Sequence, residues 1–271
     1  MGYLRPTSGE ASIAGFDCYR QSLAVHAATA YLPGEPRLFR PMRGRDVLRF
    51  FAQMRPDGNL ERAVEVAERL KLDLSRRVAL CSTGMRQKLA IATVLSTDAR
   101  LLILDEPTSS LDPTARGEVL RLITEARTAG CTVLCSSHVL SEVEQVCDRV
   151  AVLKDGRLAH VQTMSQLRLR HRIAARLHGD LHEIPPAVSA ADIRHEADGT
   201  LRIEIPGDLT PVLGWLAQLP LEEVRIEPLG LQAIYDQIHD PEHAEGGDAD
   251  ADGPVDDGAD APAKDLVLDR P

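Results

Sequence analysis

The sequence lacks an apolar run long enough to cross a membrane. An aliphatic stretch such as Leu101 to Leu104 holds only four residues, whereas a transmembrane helix needs roughly 20. An apolar export segment is also absent, because the chain starts Met1-Gly-Tyr-Leu-Arg-Pro6. These absences predict a protein of the cytoplasm without a membrane span of its own.

Paired cysteine spacings are absent as well. The cysteines are odd in number and show no metal-binding pattern, which favours reduced thiols; they are Cys18, Cys81, Cys131, Cys135 and Cys147. We interpret Cys131 and Cys135 as small apolar residues on one face of a strand.

A basic surface is a third missing feature. The formal net charge is −10. From Asp240 onward the chain has eleven acidic and two basic residues, so the rest of the chain is close to neutral. Nucleic-acid binding needs a basic patch or stripe, and the composition therefore predicts no nucleic-acid partner.

Residues 11–169 alternate between apolar strands and amphipathic helices, which is typical of a layered α/β domain. The pattern predicts strands at 11–16, 28–32, 101–104, 131–136 and 148–154. It predicts helices at 44–54, 59–72, 84–97, 114–129 and 139–146. Asp155-Gly156 indicates a two-residue hairpin turn.

A second pattern follows and predicts a small accessory domain. Its expected strands are 193–196, 201–205 and 224–226, and its expected helices are 209–218 and 230–238. Residues 240–271 contain mostly Gly, Asp, Ala and Pro, too little apolar surface to fold, so we predict an acidic disordered tail there. The predicted divisions are 1–170, 171–239 and 240–271, with a helical subdomain at about 40–97.

The segment Leu101-Leu-Ile-Leu-Asp-Glu-Pro107 carries the first chemical signal. A short apolar run of this kind suits a buried parallel strand, whose carboxyl end is where ligands bind in α/β sheets. Asp105 has the chemistry to hold Mg²⁺, and Glu106 to orient or deprotonate a water. A structural cap explains the two acids equally well when they are taken alone.

Two further segments place polar residues near these acids. Asp112-Pro113 has the form of a helix N-cap followed by Pro at the first helical position. The apolar run that begins at Cys131 ends in Ser137-His138, again at a carboxyl end. A lone His there is usually structural, but beside two carboxylates His138 is suited to contact a γ-phosphate and hold an attacking water.

The segment Cys81-Ser-Thr-Gly-Met85 precedes an amphipathic helix. Ser82 is suited to cap that helix, and the N–H groups of the helix N-terminus form an anion site. A plain capped helix and an anion-binding helix use the same residues, so this segment alone leaves both interpretations open.

Together these segments resemble, in order and separation, the nucleotide-binding subunits of ABC transporters. Cys81 to Met85 is similar to the signature motif of the family, with Ser82 and Gly84 kept, and Leu101 to Pro107 is similar to its Walker B strand and catalytic glutamate. Ser110 to Asp112 is similar to the D-loop, and His138 to the switch histidine. The resemblance implies a P-loop NTPase-like layered domain with an α-helical subdomain and a C-terminal α+β accessory domain.

The chain departs from the family pattern at three places. Thr83 and Met85 replace signature residues, and Gly34 stands where the family has the Gln of the Q-loop. The Walker A loop requires Gly-x-x-x-x-Gly-Lys, and no Gly-Lys dipeptide occurs. Because the resemblance starts at the end of the helix that follows this loop, we expect the domain to be incomplete at its N-terminus.

The resemblance implies ATP and Mg²⁺ as cofactors, with Asp105 as the metal residue and Glu106 and His138 as catalytic residues. It implies a second ATP-binding subunit, whose ATP the Ser82 and Gly84 signature would contact, and a separate membrane permease through which ATP hydrolysis would drive export. This chain would then lie in the cytoplasm, peripheral at the inner face of the cell membrane. ATP hydrolysis by the chain alone is not expected. The alternatives are a non-catalytic partner or regulator, and an ABC ATPase that acts on ribosomes or DNA.

Overall fold

A computed structural model describes residues 4–178, 184–188, 191–196 and 199–239. From residue 4 to residue 154 the described chain contains six strands and six α-helices. The strands are β1 Ser12–Ile13, β2 Phe16–Asp17, β3 Thr29–Leu32, β4 Leu101–Asp105, β5 Thr132–Ser136 and β6 Arg149–Lys154. The helices are α1 Ser22–Ala28, α2 Gly44–Met54, α3 Leu60–Arg69, α4 Thr83–Leu95, α5 Pro113–Thr128 and α6 Leu140–Val146. A 3₁₀ turn, Val78–Leu80, precedes α4.

Strands β3, β4 and β5 form a parallel sheet in that order. Within it, Asp105 pairs with Ser136, so the carboxyl ends of β4 and β5 lie side by side. Leu102 and Leu104 are buried, which explains the apolar run before the two acids. Helices α2 to α5 pack on the sheet face that carries these two leucines, and this layering of helices on a parallel sheet confirms the predicted layered α/β class.

One apolar core joins this sheet to helices α2 to α5. Helix α3 begins at the Asn59 N-cap, and its Arg69 pairs with Glu118 and Glu125 on α5 at 2.7 Å each. These two carboxylates raise the pKa of the Arg69 guanidinium, so α3 and α5 are joined by a permanently charged side chain.

The N-terminal segment differs from its prediction. Instead of one strand at 11–16, β1 and β2 form a short antiparallel hairpin. Its turn, Ala14-Gly15, has positive φ angles of 52° and 81°, which reverse the chain within two residues. Helix α1 was also not predicted, and Ala28 belongs to that helix rather than to the strand that follows it.

The predicted hairpin after α6 is confirmed. Strand β6 pairs with β7 Arg157–Thr163 across a turn formed by Asp155 and Gly156. Both turn residues have positive φ, 51° and 74°, as a type I′ turn requires. A short helix, α7 Met164–Leu167, leads into the accessory part.

The accessory part is a four-stranded antiparallel sheet packed on one helix. The strands are β8 Arg170–Leu177, β9 Asp192–His195, β10 Thr200–Pro206 and β11 Leu221–Pro228, in the order β11-β8-β10-β9. Helix α8 Thr210–Leu216 buries Trp215 against Ile173, Leu201 and Ile203. A 3₁₀ turn, Pro186–Val188, contributes Val188 to the same core.

The last described helix, α9 Leu231–His239, packs on α6 and α7 rather than on the accessory sheet. Glu144 of α6 accepts a hydrogen bond from the Leu231 N–H at 2.5 Å, at the start of α9. Lys154 of β6 donates one to the Ile238 carbonyl at 2.6 Å, at its end. Both ends of α9 are therefore fixed by residues of the N-terminal part.

Replacing Glu144 by alanine is expected to lower the free energy of unfolding by about 1 kcal/mol, as the loss of a helix N-cap does. Glu65→Ala, on the exposed surface of α3, is the matched control and should change stability by less than about 0.5 kcal/mol. Denaturant unfolding measures both variants. Equal stability of the two would show that Glu144 does not hold α9.

Among the described residues, no helix is long and apolar enough to cross a membrane. The predicted acidic tail, 240–271, lies outside the described residues. The divisions at 170 and 239 stay predictions, although β8 begins at Arg170, close to the first of them.

Candidate functional site

Asp105 and Glu106 meet at the carboxyl end of β4, and Ser136 of β5 connects them. The Ser136 hydroxyl donates to Asp105 Oδ1 at 2.6 Å and accepts from the Glu106 N–H at 3.0 Å. The strand pairing places Ser136 directly opposite Asp105. One hydroxyl therefore fixes the carboxylate of the first acid and the backbone of the second.

His138 lies beside Glu106, as the sequence predicted. Its Nδ1 is 2.8 Å from Glu106 Oε2. The Glu106 side chain is 30% exposed and the His138 side chain 75% exposed, so water reaches this pair. When the ring is neutral, Nδ1–H donates to the carboxylate and Nε2 is left as an acceptor towards solvent.

Glu106 has a strained backbone, with φ of 47°. A non-glycine residue in this region costs on the order of 1–3 kcal/mol and persists only where the surroundings hold it. Here Ser136 holds its N–H and Gln87 donates to its carbonyl at 3.3 Å. These two hydrogen bonds hold the backbone of Glu106 while its carboxylate contacts His138.

The Ser82 and Gly84 segment begins helix α4. Ser82 is the N-cap, and its hydroxyl accepts from the Met85 N–H at 3.2 Å. A Cβ built on Gly84 would lie 2.6 Å from the carbonyl oxygen of Ser110. Glycine is therefore required where the start of α4 contacts the segment before Asp112.

Gln87 connects this segment to the acids and was not singled out from the sequence. Its side chain is buried and donates to the carbonyls of Glu106 and Pro107 at 3.3 and 3.2 Å. A buried glutamine on an otherwise apolar helix face is a signal for such a bridge, because buried amides need partners. Ser136, likewise, was not assigned a role before the strand register was known.

Asp112 caps helix α5, as predicted, with Pro113 at its first position. Its carboxylate accepts from the Ala115 N–H at 2.9 Å and from Lys88 Nζ of α4 at 3.3 Å. The Ala115 N–H and then Lys88 hold the pKa of the Asp112 carboxyl below its usual range. This stabilisation is therefore present above the usual carboxyl pKa and is lost as pH falls through the lowered one.

The described residues fit Mg²⁺ only in part. Asp105 Oδ2 also accepts from the Gly34 N–H at 3.3 Å, and a Cβ on Gly34 would lie 3.2 Å from it. No group of three His, Cys, Asp or Glu residues within the described ranges could hold a metal. Because Mg²⁺ is commonly bound by one or two carboxylates with water and phosphate oxygens, Asp105 fits a metal that arrives with a nucleotide.

The predicted residues thus form two groups. Asp105, Glu106 and His138 make one, at the carboxyl ends of β4 and β5. Ser82, Gly84 and Asp112 make the other, at the starts of α4 and α5. Their catalytic and binding roles stay predictions, since geometry alone does not test them.

Comparison with known proteins gives related sequences and folds. A family described as an AAA domain, putative AbiEii toxin of a type IV toxin–antitoxin system, matches residues 36–144. An uncharacterised ABC transporter ATP-binding protein, YhcH of Bacillus subtilis, is 34% identical over 60% of this chain and 55% of its own length. The daunorubicin resistance ATP-binding protein DrrA3 of Streptomyces coeruleorubidus is 35% identical over 61% of this chain and 54% of its own.

A solved ATP-binding subunit of an ABC transporter superposes with a TM-score of 0.57 and 28% sequence identity. The superposition covers 62% of this chain and 72% of that structure. This chain spans about half the length of the curated relatives that it matches.

Proposed function

This chain is a homologue of the ATP-binding proteins of ABC transporters and has their ATPase fold, and from this premise we propose that it is an ATP-binding and ATP-hydrolysing subunit of an exporter. The observation that carries the proposal is the Asp105, Glu106 and His138 group, joined through Ser136 at the ends of two parallel strands.

The chemistry assigned to this group is activation of water. Glu106 accepts a proton from the attacking water, and His138 orients both Glu106 and the γ-phosphate. Asp105 would provide an oxygen ligand for Mg²⁺, and the metal would neutralise phosphate charge when bound with ATP. Ser136 positions Asp105 and Glu106 through its two hydrogen bonds.

The phosphates of ATP need a cradle that this sequence does not contain, since it has no Gly-Lys dipeptide. Among the described residues, strand β5 is at the edge of its sheet. A further strand paired there in parallel would end beside His138 and Glu106. We therefore propose that hydrolysis at this group requires a phosphate-binding segment in addition to residues 1–271, and that the chain alone is inactive.

Ser82 and Gly84 have a different role in the proposal. They lie at a helix N-terminus, which attracts phosphate, and Gly84 contacts the Ser110 carbonyl just before Asp112. We assign them to the ATP held by a second ATP-binding subunit in a dimer. The subunits would drive a separate membrane permease from the cytoplasmic face, as the resemblance to ABC transporter subunits implies.

Export of a drug or antibiotic is the cargo class that the relatives support, as one of them is named for daunorubicin resistance. A second candidate function is a non-catalytic partner that contributes only its signature. Gly34 favours that alternative, because it has no side chain with which to ligate Mg²⁺ at Asp105.

Mixing this chain with a complete homologous subunit tests the dimer. MgATP is expected to produce a mixed dimer in sedimentation experiments, because the partner supplies the cradle and this chain the signature. Ser82→Ala should weaken that assembly by roughly tenfold or more, the loss of one hydrogen bond to a charged group. Glu106→Gln should not weaken it, since Glu106 does not face the partner's ATP.

Asn59→Ala is the matched control, because it removes a comparable N-cap from α3 and costs similar stability. Equal weakening by Ser82→Ala and Asn59→Ala would contradict the signature role. ATP hydrolysis by the mixed dimer distinguishes the two candidate functions further. A non-catalytic partner would form the dimer, but replacing its Asp105 or Glu106 would not change ATP turnover, even after a phosphate-binding segment is supplied.

A further inference from the structure

Two thiols lie together on either side of the His138 segment. Cys135 is in β5, one residue before Ser136, and Cys147 directly follows α6. Their Sγ atoms are 3.7 Å apart and separated by twelve positions in the chain. Both side chains are partly buried and pack on the main apolar core. Strand and helix therefore present their thiols to each other before any bond is formed.

The contact makes the two thiols chemically unequal. A hydrogen bond from Cys147 lowers the pKa of the Cys135 thiol, because it stabilises the thiolate. The same contact and burial raise the pKa of Cys147, which keeps its proton. Thiolates are the nucleophiles of thiol–disulfide exchange, so this asymmetry favours Cys135 as the attacking group and Cys147 as the resolving one.

We propose that Cys135 and Cys147 are a reversible dithiol–disulfide site, oxidised by low-molecular-weight disulfides. The Cys135 thiolate attacks one sulfur of the small disulfide, forming a mixed disulfide and releasing one thiolate, which takes up a proton. Cys147 loses its proton and attacks the Cys135 sulfur, and the second small thiol leaves. The protein loses two electrons and two protons, and the small disulfide gains them as two thiols.

Oxidation would change the local structure by a small movement. The sulfur atoms must approach from 3.7 Å to about 2.05 Å, which side-chain rotation and a slight shift of the end of α6 can supply. The new bond closes a loop that contains Ser136 and His138, so the strand and helix on either side of His138 become covalently joined. This inference does not depend on ATP binding or on the proposed function.

The experiment treats the folded full-length chain with oxidised glutathione and then blocks remaining thiols with iodoacetamide. Intact mass should show a product that has lost two hydrogens and carries three blocked thiols. Trypsin leaves Cys135 and Cys147 on one peptide, because no Lys or Arg lies between them. Glu-C cleaves after Glu142 and Glu144 and should therefore yield two peptides joined by the disulfide.

Cys131→Ser is the matched control, because Cys131 precedes β5 and shares the Cys135 peptide. It should keep the cross-link, whereas Cys147→Ser should stop at a mixed disulfide with glutathione and Cys135→Ser should form neither product. The cross-linked protein should melt roughly 5–10 °C higher than the reduced one, and reduction with dithiothreitol should reverse this rise.

Circular dichroism before oxidation confirms that each variant is folded, and for a variant that is not, Cys→Ala replaces Cys→Ser. A folded wild-type chain that gives no cross-link, or one that joins Cys147 to Cys131, would overturn the proposal. So would a cross-link that forms only after urea is added, because it would show that native geometry does not favour the pair.

Discussion

Replacing Glu106 by glutamine is expected to lower ATP turnover at least about 100-fold, the usual contribution of a general base, in a chain supplied with a phosphate-binding segment. The amide keeps the shape of the side chain and can still contact His138 across the present 2.8 Å. It cannot accept a proton from water at neutral pH. ATP affinity should therefore change little while kcat falls, which steady-state kinetics resolve.

The experiment uses a chimera in which the Gly-x-x-x-x-Gly-Lys-Thr segment of a relative precedes this sequence. Glu65→Gln, on the exposed face of α3, removes the same charge far from the site and should keep full turnover. His138→Ala should also lower kcat, because the carboxylate then loses the partner that orients it. Undiminished turnover in Glu106→Gln would exclude Glu106 as the base.

Ser136→Ala in the same chimera should lower kcat less than Glu106→Gln does. Ser136 touches Asp105 and the Glu106 backbone rather than the water, so it acts as a positioning residue. Ser136→Thr keeps the hydroxyl and should restore part of the rate. A variant that loses only stability, with no change in kcat, would show that the Ser136 hydroxyl has no positioning effect.

The elements that the sequence predicted well are those set by local interactions. Ser82 and Asp112 both cap helices. A side-chain oxygen at the N-cap accepts a hydrogen bond from a free backbone N–H two or three residues later, and this local interaction needs no distant partner. The Asp155-Gly156 turn follows from the positive φ angles that these residues tolerate. Helix α2 occupies 44–54 as predicted.

The elements that the sequence did not predict depend on distant partners. Strand β8 is rich in arginine, and its apolar residues become recognisable only when Ile173 meets Leu201 and Ile203 in the accessory core. Arg172 on its other face pairs with Glu204 of β10 at 2.7 Å. The short helix α1 has seven residues and no side-chain hydrogen bond at its N-cap, so its existence depends on tertiary packing.

The same distinction applies to the site. Asp105, Glu106 and His138 were predicted because each follows an apolar run, and parallel strands bring such ends together. The roles of Ser136 and Gln87 needed the strand register and the position of α4, since their partners lie 31 and 19 positions away in the chain. Long-range hydrogen bonds of this kind leave no periodic pattern in a sequence.

Replacing Gly84 by alanine is expected to lower the free energy of unfolding by about 1–3 kcal/mol, the range for an overpacked contact. The new Cβ would lie 2.6 Å from the Ser110 carbonyl oxygen, and this oxygen belongs to backbone that cannot rotate away. The start of α4 must then separate from the segment that holds Asp112, breaking the alignment of Lys88 with Asp112. Denaturant unfolding measures the loss, and the mixed-dimer assay should show weaker MgATP-dependent assembly.

Gly117→Ala provides the control for this substitution. Gly117 lies within α5, and a Cβ there meets nothing within 4 Å, so alanine should raise stability by about 0.5–1 kcal/mol through its higher helix propensity. The two glycines thus predict changes of opposite sign for the same chemical substitution. Stabilisation by both would mean that α4 moves freely away from Ser110, and the signature would then need no glycine at position 84 for its packing.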